Sequence, residues 1–368
     1  MNPHRLLITG GAGFIGSNFV HYWIKNNPTS YVIVLDALTY AGNRTNLAEL
    51  ESKGSIRFVH GDIRDQRKVE ALLREGKIDT IVHFAAESHV DRSILGPDPF
   101  LETNVMGTHV LLKAAKNIWL DPQYAPEEHR FHHISTDEVY GSLAAGDPAF
   151  TEDTPYRPNS PYAASKAASD HIVRAYHHTY GLDITISNCS NNYGPYHFPE
   201  KLIPLMIINL LNGRELPIYG DGRNVRDWLH VEDHCQAIER ILRSGVSGET
   251  YNIGGNSEYS NLDMVNMLCS EMDARFKRNE DLRKRFVLAP AARGEKSSSL
   301  IRFVKDRPGH DFRYAIDASK IRNLLGFIPG HTINEGIGQT MDWFLDNESW
   351  WKHLVESSPS GMDITIQT

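Results

Sequence analysis

A glycine-rich turn between an apolar run and an amphipathic segment constrains the fold of this chain more than any other feature. The stretch RLLITGGAGFIGSNFVHYWIKNN begins at residue 5, and Gly10, Gly13 and Gly16 recur in it at every third position. Glycine permits a tight turn and the close approach of the backbone to a bound phosphate. The pattern predicts a strand, a turn and a helix that begins near Phe14, whose free N–H groups point at a phosphate.

An acidic residue after the second predicted strand indicates which ligand carries that phosphate. The strand YVIVLD ends at Asp36, about 20 residues after Gly16, where a carboxylate accepts hydrogen bonds from the ribose hydroxyls of a dinucleotide. A carboxylate there also repels a 2′-phosphate. An ordinary turn would explain the glycines alone, but the acid after the second strand favours an NAD site over both that alternative and NADP.

Three further apolar runs predict a parallel sheet. IRFVHGDIRD is a third strand that ends at Asp62 and Ile63, TIVHFAAES is a fourth that leads into Ala85 and Ala86, and FHHIS is a fifth. Strands that alternate with helices form parallel sheets and bind ligands at the carboxyl ends of the strands. Asp62 either caps a helix or accepts a hydrogen bond from the adenine amino group. The predicted fold class is α/β, a Rossmann-type doubly wound parallel sheet with a smaller C-terminal substrate-binding lobe.

Two adjacent carboxylates follow the fifth strand, in the stretch HHISTDEVYG. Removing even one carboxylate from water is costly, so a chain places two at the end of a buried strand only for a purpose. Asp137 and Glu138 lie at the edge of the sheet where ligands bind. A helix cap or a turn would be the alternative role for Asp137, but the position predicts a reaction site.

A tyrosine and a lysine lie on one face of the predicted helix PYAASKAASDHIVRAYHHTY, which Pro161 begins and Gly181 ends. Tyr162 and Lys166 are four residues apart and therefore neighbours on the helix surface. Lys166 would hydrogen-bond the nicotinamide ribose and stabilise the phenolate of Tyr162. Tyr162 would then remove a proton from a substrate hydroxyl as hydride leaves the same carbon. A solvated helix side is the alternative, and the preceding NAD motifs disfavour it.

The motifs together resemble the extended short-chain dehydrogenase/reductase superfamily and, within it, the nucleotide-sugar 4,6-dehydratases. The residues that carry the resemblance run in the family's order from about residue 5 to residue 345: TGGAGFIGSN, LDALTYAGN, AAESHVDRS, STDEVYG, YAASKAASD, NNYGPYHFPEKLIPL, GRNVRDWLHVEDH, YNIGG and DRPGHDFRY. The resemblance implies conversion of dTDP-glucose to dTDP-4-keto-6-deoxyglucose and water, which feeds the biosynthesis of deoxysugars such as rhamnose. It also implies that NAD is regenerated in each turnover and stays tightly bound.

The resemblance assigns a role to each catalytic candidate. Tyr162, with Lys166, removes the C4 hydroxyl proton, and Thr136 hydrogen-bonds the C4 oxygen. Glu138 is the base that removes the C5 proton, and Asp137 is the acid that protonates the departing C6 hydroxyl. The sequence leaves open which of the two carboxylates holds a proton at rest.

The resemblance also implies which residues bind the two ligands. The expected cofactor-binding residues are Gly10, Gly13, Phe14, Ile15, Gly16, Asp36, Ala37, Leu38, Thr39, Asp62, Ile63, Ala85, Ala86, Ser88, Thr103, Tyr162, Lys166 and Asn192. The expected substrate-binding residues are Ser88, Thr136, Asn191, Glu200, Lys201, Leu202, Pro217, Tyr219, Arg226, Asn261, Arg307 and His310. Within this set, Arg226 suits a diphosphate because its planar fork binds two oxygens at once.

The strand–helix alternation weakens after about residue 190, which predicts three parts of the chain. Residues 1–190 form the NAD-binding domain, to which some later segments return, 191–350 form mainly the nucleotide-sugar lobe, and 351–368 form a C-terminal tail. The charged segment 271–304 predicts an extended amphipathic helix followed by a flexible GEKSSS loop. Apolar residues on more than one side of 100–118 and 161–180 predict a homodimer built on a four-helix interface, as the family implies.

Charge, cysteines and histidines exclude several classes of function. The net charge of −8 argues against nucleic acid or a membrane surface as a partner, and no apolar run approaches the roughly 20 residues of a membrane span. Three scattered cysteines and a strand that begins within five residues of the N-terminus predict a cytoplasmic protein without a signal peptide. The histidine pairs at 132–133 and 177–178 are adjacent in sequence, so their side chains point in different directions and cannot easily bind one metal ion. No metal site is therefore expected.

Three other functions compete with this prediction. A nucleotide-sugar 4-epimerase shares the fold, NAD and the Tyr–Lys pair, but needs neither Asp137 nor Glu138. A catalytically silent NAD-sensing or scaffold protein would be expected to lack Tyr162 and Lys166. A dehydratase for UDP- or GDP-hexoses differs only in a few pocket residues, and the sequence disfavours it less firmly.

Overall fold

A seven-stranded parallel sheet organises the chain, as seen in a computed structural model that describes residues 1–356. The strand order is β10-β6-β5-β4-β1-β2-β3, and every neighbouring pair is parallel. The predicted Rossmann-type α/β fold is therefore confirmed. The strands are β1 Arg5–Thr9, β2 Tyr31–Asp36, β3 Arg57–His60, β4 Thr80–His83, β5 Arg130–Thr136, β6 Ile184–Cys189, β7 Asn191–Tyr193, β8 Leu216–Tyr219, β9 Val225–His230, β10 Thr250–Ile253, β11 Glu258–Ser260 and β12 Ile301–Val304.

Helices connect the parallel strands and cover both faces of the sheet. They are α1 Phe14–Asn26, α2 Ala48–Ser52, α3 Gln66–Gly76, α4 Val90–Leu95, α5 Asp98–Phe100, α6 Thr108–Trp119, α7 Pro161–Tyr180, α8 Leu202–Asn212, α9 Val231–Ser244, α10 Asn261–Arg278, α11 Glu280–Arg285, α12 Ser319–Leu325, α13 Ile333–Asp346 and α14 Glu348–Glu356. A π-helical segment, Leu101–Gly107, continues directly into α6, and a 3₁₀ turn, Asp137–Tyr140, follows β5. No helix among the described residues is long and apolar enough to cross a membrane.

The central strands are apolar on both faces because a hydrophobic core lies on each side of the sheet. Leu7 on β1 packs into one core with Ile33 and Ile81. Its neighbours Leu6 and Ile8 point to the opposite face and pack into the other core, which Phe19, Trp23 and residues of α9 complete. Alternation of side chains along a strand thus explains why the strands read as nearly continuous hydrophobic runs.

A third core organises the C-terminal lobe. It is built from α8, α10, α13 and α14 together with β8 and β9. Small sheets of order β11-β9-β7 and β12-β8 complete this lobe. β10 lies at the edge of the large sheet beside β6, and α9 packs against the same sheet. The division of the chain into domains stays a prediction.

The segment 271–304 differs from its prediction. The helix α10 ends at Arg278, since the side chain of Asn279 accepts hydrogen bonds from the N–H groups of Asp281 and Leu282 and so starts the separate helix α11. The GEKSSS stretch is not a free loop. Ser297 is fully buried, its N–H donates to the Asp273 carboxylate, and the chain then forms β12. The prediction of one extended helix and a flexible loop is wrong.

The predicted C-terminal tail begins inside a helix. α14 spans Glu348–Glu356, and Trp351 is buried in the third core with its indole N–H donating to Phe344 O at 2.8 Å. Trp350 donates to Asn46 Oδ1 at 2.8 Å and so ties the same helix to the first unit. The remainder of the predicted tail, 357–368, lies outside the described residues.

Candidate active site

A long cleft follows the carboxyl ends of the central strands, as expected for a parallel α/β sheet. It consists of two cavities, a first one over β1–β6 and a second one between this edge and the C-terminal lobe. Four residues line both cavities: Ser88, Glu138, Asn191 and Lys201. The two cavities therefore meet at Glu138, one of the two carboxylates of the STDEVYG stretch.

The first cavity gathers almost all the residues expected to hold the cofactor. The expected residues that line it are Gly10, Gly13, Phe14, Ile15, Gly16, Asp36, Ala37, Thr39, Asp62, Ile63, Ala85, Ala86, Ser88, Thr103, Tyr162, Lys166 and Asn192. Leu38 is the exception, because its side chain does not reach the cavity. Its backbone N–H donates instead to Asp36 Oδ1 at 2.8 Å.

The glycine turn has the geometry that a pyrophosphate requires. Gly10 has a φ of +69°, and a Cβ there would lie 2.5 Å from Ala85 N. A Cβ on Gly16 would lie 2.2 Å from Gly10 O. Gly13 precedes α1 without a side-chain cap, so the first N–H groups of that helix remain available to an anion in the cavity.

Two acids lie where the adenosine half of a dinucleotide would bind. Asp36 is buried, and its Oδ2 accepts a hydrogen bond from Ala12 N at 2.9 Å, which leaves lone pairs for ribose hydroxyls. Asp62 accepts from Arg64 N at 2.8 Å and pairs with the Arg64 guanidinium at 2.7 Å. The cap of α3 is Asp65, not Asp62, so the helix-cap alternative for Asp62 is wrong.

Thr136, Asp137 and Glu138 form the turn that ends β5. Thr136 Oγ1 accepts from Glu138 N and lies 3.3 Å from Asp137 Oδ1, to which it donates. Asp137 is 2% exposed, and its Oδ2 has no partner among the described residues. The helix α7 begins after Ser160, whose side chain accepts from Ala163 N and caps it.

The surroundings of Asp137 and Glu138 shift the pKa values of the two carboxylates to different extents. Burial, the Glu138 charge and the Asp227 charge raise the pKa of Asp137 well above its usual value. Burial also raises the pKa of Glu138, but the guanidinium groups of Arg307 and Arg226 oppose that rise. A proton shared by this pair is therefore favoured on Asp137, and the negative charge on Glu138.

Tyr162 and Lys166 are buried one helical turn apart on α7 and both line the first cavity. Lys166 Nζ donates to Ile134 O at 2.7 Å. Burial and the Glu138 charge raise the pKa of Tyr162 well above its usual value, and the nearby Thr136 hydroxyl opposes part of this rise. Thr136, Tyr162 and Lys166 thus all line the first cavity, which meets the second at Glu138.

The second cavity gathers the residues expected to bind the substrate, apart from Thr136, which lines the first. Its expected residues are Ser88, Asn191, Glu200, Lys201, Leu202, Pro217, Tyr219, Arg226, Asn261, Arg307 and His310. Four buried polar atoms of this set have no hydrogen-bond partner within residues 1–356: Asn191 Oδ1, Glu200 Oε1, Tyr219 Oη and Arg307 Nε. Buried polar groups are normally paired, so these atoms indicate a polar ligand.

Arg226 is held rigidly in the second cavity. Its guanidinium donates to Val225 O at 2.8 Å and to Asp311 O at 3.1 Å, and lies 4.4 Å over the Tyr314 ring. The helix α8 starts after Lys201 without a side-chain cap. An arginine and an uncapped helix N-terminus in one cavity suit a diphosphate.

Comparison with known proteins agrees with this geometry. A family profile described as GDP-mannose 4,6 dehydratase matches residues 7–340. The dTDP-glucose 4,6-dehydratase of Xanthomonas campestris pv. campestris (strain B100) is 53% identical over 353 residues, 96% of each chain. That of Escherichia coli is 50% identical over 367 residues, 97% of this chain and 98% of its own.

A solved structure extends the likeness to three dimensions. DesIV, the dTDP-glucose 4,6-dehydratase of Streptomyces venezuelae, was solved with NAD and dTDP bound. It is 48% identical, superposes with a TM-score of 0.83, and the match covers 95% of this chain and 99% of that one. The chain belongs to the dTDP-glucose 4,6-dehydratase family.

Several cavity residues escaped the prediction from sequence. In the first cavity they include Tyr40, Glu87, Cys189, His197 and Phe198, and in the second His89, Asp91, Trp228 and Tyr314. Asp91 forms an ion pair with Arg307 at 3.1 Å and so orients Arg307, which is one of the residues expected to bind the substrate. The family motif AAESHVDRS contains Asp91, and the motif DRPGHDFRY contains Arg307 and Tyr314, so the sequence did point to both segments. Nothing in the sequence alone pairs Asp91 with Arg307, which lies 216 residues further along the chain.

One group of side chains superficially suits a metal. Ligand atoms of His230, Glu232 and His331 lie within 4.8 Å of one another. The two imidazoles are stacked, with centroids 4.0 Å and planes 28° apart, so their in-plane lone pairs do not converge. His331 Nδ1 is 2.9 Å from Asp233, and this contact raises the pKa of His331. The group is an ion pair beside a stacked ring, and the expectation of no metal stays a prediction.

Proposed function

We propose that the protein converts dTDP-glucose to dTDP-4-keto-6-deoxyglucose and water, with NAD held in the first cavity and the nucleotide sugar in the second. The observation that carries the proposal is the position of Glu138. It lies where the two cavities meet, next to Asp137, whose pKa is raised well above its usual value and which therefore holds the proton. An elimination needs one base and one acid on neighbouring groups of the sugar, and this pair supplies both.

Tyr162 starts the proposed reaction at C4 of the sugar. NAD bound in the first cavity would supply the hydride acceptor for C4 and the hydride donor for C6, while Tyr162 accepts the proton of the C4 hydroxyl. Lys166 stabilises the phenolate that this step requires, through its positive charge. Thr136, which lines the same cavity as Tyr162, holds the C4 oxygen beside it.

The two carboxylates then remove water across C5 and C6. The 4-keto group acidifies the C5 hydrogen, and Glu138 removes that hydrogen as a proton. Asp137 donates its proton to the C6 hydroxyl, which leaves as water because hydroxide is a poor leaving group. Glu138 finally returns a proton to C5.

Proton balance gives Thr136 a second task. After one turnover Tyr162 carries the former C4 hydroxyl proton, whereas Asp137 has lost the proton that left in water. Thr136 Oγ1 donates to Asp137 Oδ1 at 3.3 Å, and its hydroxyl lies close enough to Tyr162 to oppose the rise in the pKa of that tyrosine. Its hydroxyl can pass one proton along this path and restore both groups for the next cycle.

The test of the proposed function uses the purified protein without added reductant. It is incubated separately with dTDP-, UDP- and GDP-glucose, and the products are identified by mass. Loss of one water from the dTDP sugar alone is the expected result. Loss of water mainly from the UDP or GDP sugar would show that the substrate carries another nucleotide. An unchanged mass with inversion at C4 would identify a 4-epimerase.

NAD is expected to copurify with the protein at about one equivalent per chain, because the closed redox cycle never requires it to leave. Heat-denatured protein should release it for quantification by chromatography. Asp36→Asn, which weakens a charge-assisted hydrogen bond worth about 1.5–3 kcal/mol, should lower this content. A protein that emerges without cofactor and requires millimolar NADP for activity would contradict the assignment.

A homodimer through α7 and the segment 100–118 is a further part of the proposal. Large apolar side chains are exposed next to these helices: Leu95 82%, Leu101 50%, Met106 54% and Tyr180 44%. Monomeric proteins rarely expose such a group without a partner. The protein is therefore expected to have twice the 41.6 kDa mass of the chain by light scattering at micromolar concentration.

Paired substitutions test where the dimer forms. Leu101→Asp with Met106→Asp should give a monomer, since the charges would have to be buried. Leu324→Asp, at a side chain exposed by 61% on α12, is the matched control and should leave the mass unchanged. A monomeric mass for the unchanged protein would defeat this part of the proposal.

The cellular setting also remains a proposal. Cys189, Cys235 and Cys269 are all buried and unpaired, which suits a reducing cytoplasm. The product of the reaction would feed the biosynthesis of deoxysugars such as rhamnose.

A further inference from the structure

A fully buried carboxylate lies one helical turn beyond Lys166 and has no part in the steps above. Asp170 is on α7, is 0% exposed and lines neither cavity. An isolated ionised carboxylate is very costly to bury, so a fold that keeps one must stabilise its charge.

Two side chains donate hydrogen bonds to this carboxylate, and a third lies beside it. Ser135 Oγ donates to Asp170 Oδ2 at 2.8 Å, and Tyr156 Oη donates to the same oxygen at 2.9 Å. His133 Nε2 lies 3.2 Å from Asp170 Oδ1. Burial lowers the pKa of His133 well below its usual value, so the ring is neutral, and Asp170 Oδ1 has no hydrogen-bond partner among the described residues. Burial raises the pKa of Asp170, and the Lys166 charge, the Ser135 hydroxyl, the Arg174 charge and the Tyr156 hydroxyl oppose that rise and favour the ionised form.

The same histidine connects Asp170 to the catalytic lysine. His133 Nε2 is 3.4 Å from Lys166 Nζ, so ammonium and carboxylate flank one imidazole nitrogen. Within residues 1–356, Lys166 forms no direct ion pair with any carboxylate. Among the charges that act on Lys166, Asp170 contributes the largest rise of its pKa.

We propose that Asp170 is a positioning residue that supplies the buried negative charge which keeps Lys166 protonated while Tyr162 removes the C4 hydroxyl proton. This inference rests on the proposed function. It gives a reason for a carboxylate that the elimination does not use. It also explains why the charge is surrounded by donors that keep it ionised.

The direction of the effect follows from the surroundings of Lys166. Burial lowers the pKa of Lys166 to about 8, and the Asp170 charge opposes this shift. Without that charge the pKa falls further, and the amine loses its proton at a lower pH. A neutral amine no longer stabilises the phenolate, so activity should fall earlier as pH rises. The other titratable groups around this site are His83 on β4, His133 on β5, Cys189 on β6, Tyr156 in the preceding loop, and Tyr162 and Arg174 on α7.

Asp170→Asn tests the inference in the holoenzyme. The amide keeps the size of the side chain and one acceptor but removes the charge. The alkaline limb of kcat against pH should move about one pH unit or more toward lower pH, the shift expected from losing a nearby opposite charge. Asp183→Asn is the matched control, since Asp183 precedes the opposite end of β6, and its limb should stay at the wild-type position.

Two further measurements separate this role from a structural one. Direct titration of the Lys166 side chain by NMR, with its signal identified by its loss in Lys166→Arg, should show the same shift without reference to activity. Asp170→Glu retains the charge, so its alkaline limb should remain near the wild-type pH even if kcat falls. The double variant Asp170→Asn with His133→Asn removes both partners of one contact. It replaces the single variant in these measurements if Asp170→Asn folds poorly.

Each result decides the matter. An alkaline limb and a Lys166 titration unchanged in Asp170→Asn would show that Asp170 carries no charge in the working enzyme, and would overturn the inference. If neither neutral variant folds and retains NAD, the carboxylate is needed for folding, and the inference is likewise overturned. A wild-type protein that does not dehydrate dTDP-glucose would instead refute the proposed function.

Discussion

Glu138→Gln is expected to stop exchange of the C5 hydrogen with solvent while oxidation at C4 continues. The amide keeps the size of the side chain and its hydrogen bonding but cannot accept the C5 proton. Neither Tyr162 nor Lys166 is altered, so the bound nicotinamide should still become reduced when dTDP-glucose is added. Loss of a general base typically costs about 10²–10⁴-fold, and turnover should fall by that much. Absorbance of the nicotinamide and mass spectrometry of the sugar in deuterium oxide measure the two steps separately.

Asp137→Asn is the matched comparison for this experiment. It removes the proton donor for the C6 hydroxyl but leaves the base, so turnover should fall similarly while C5 exchange survives better than in Glu138→Gln. The two variants together show which carboxylate is the acid and which is the base. The raised pKa of Asp137 predicts that Asp137 is the acid. Exchange at C5 at the wild-type rate in Glu138→Gln would show that Glu138 is not the base.

Tyr162→Phe is expected to block the reaction at its first step. The phenyl ring fills the same buried space but cannot accept the C4 hydroxyl proton, so no reduction of the bound nicotinamide should appear on addition of dTDP-glucose. Exchange at C5 should also be absent, because the C5 hydrogen becomes acidic only after C4 is oxidised. Turnover should fall by at least about 10²–10⁴-fold.

Tyr180→Phe controls for loss of a hydroxyl from the same helix. Tyr180 is the last residue of α7 and is 44% exposed, so its loss should leave both steps at wild-type rates. NAD content and thermal stability, measured for both variants, show whether the cavity remains intact. Rapid reduction of the nicotinamide in Tyr162→Phe would assign the C4 proton to another group.

The amino-acid sequence determined those features that depend on short spacings along the chain. The glycine turn places a helix N-terminus beside a strand, and Tyr162 and Lys166 share a face because a helix brings residues four apart together. Alternation of strands and helices predicted the parallel sheet, and the sheet in turn predicted that Asp137 and Glu138 lie at the ligand-binding edge. Each inference needed only local geometry and one general rule of topology, and the sheet has the predicted form.

Only the tertiary structure decided which charges act on the catalytic groups. Asp227 and Glu138 raise the pKa of Asp137, whereas Arg226 and Arg307, far along the chain, oppose the rise at Glu138. Burial removes the water that would otherwise screen these charges, so their effect depends on distances that no spacing in the sequence records.

The same reason explains the remaining surprises. The segment 271–304 has the composition of a long charged helix, yet a cap at Asn279 and the pairing of β12 with β8 break it into short elements. In the sequence, Asp170 is one polar residue among several on α7. Only the structure shows that its carboxylate is buried beside Ser135, Tyr156 and His133. Local spacing along the chain thus predicts the fold and the proposed catalytic side chains, whereas the protonation of those side chains depends on contacts between distant parts of the chain.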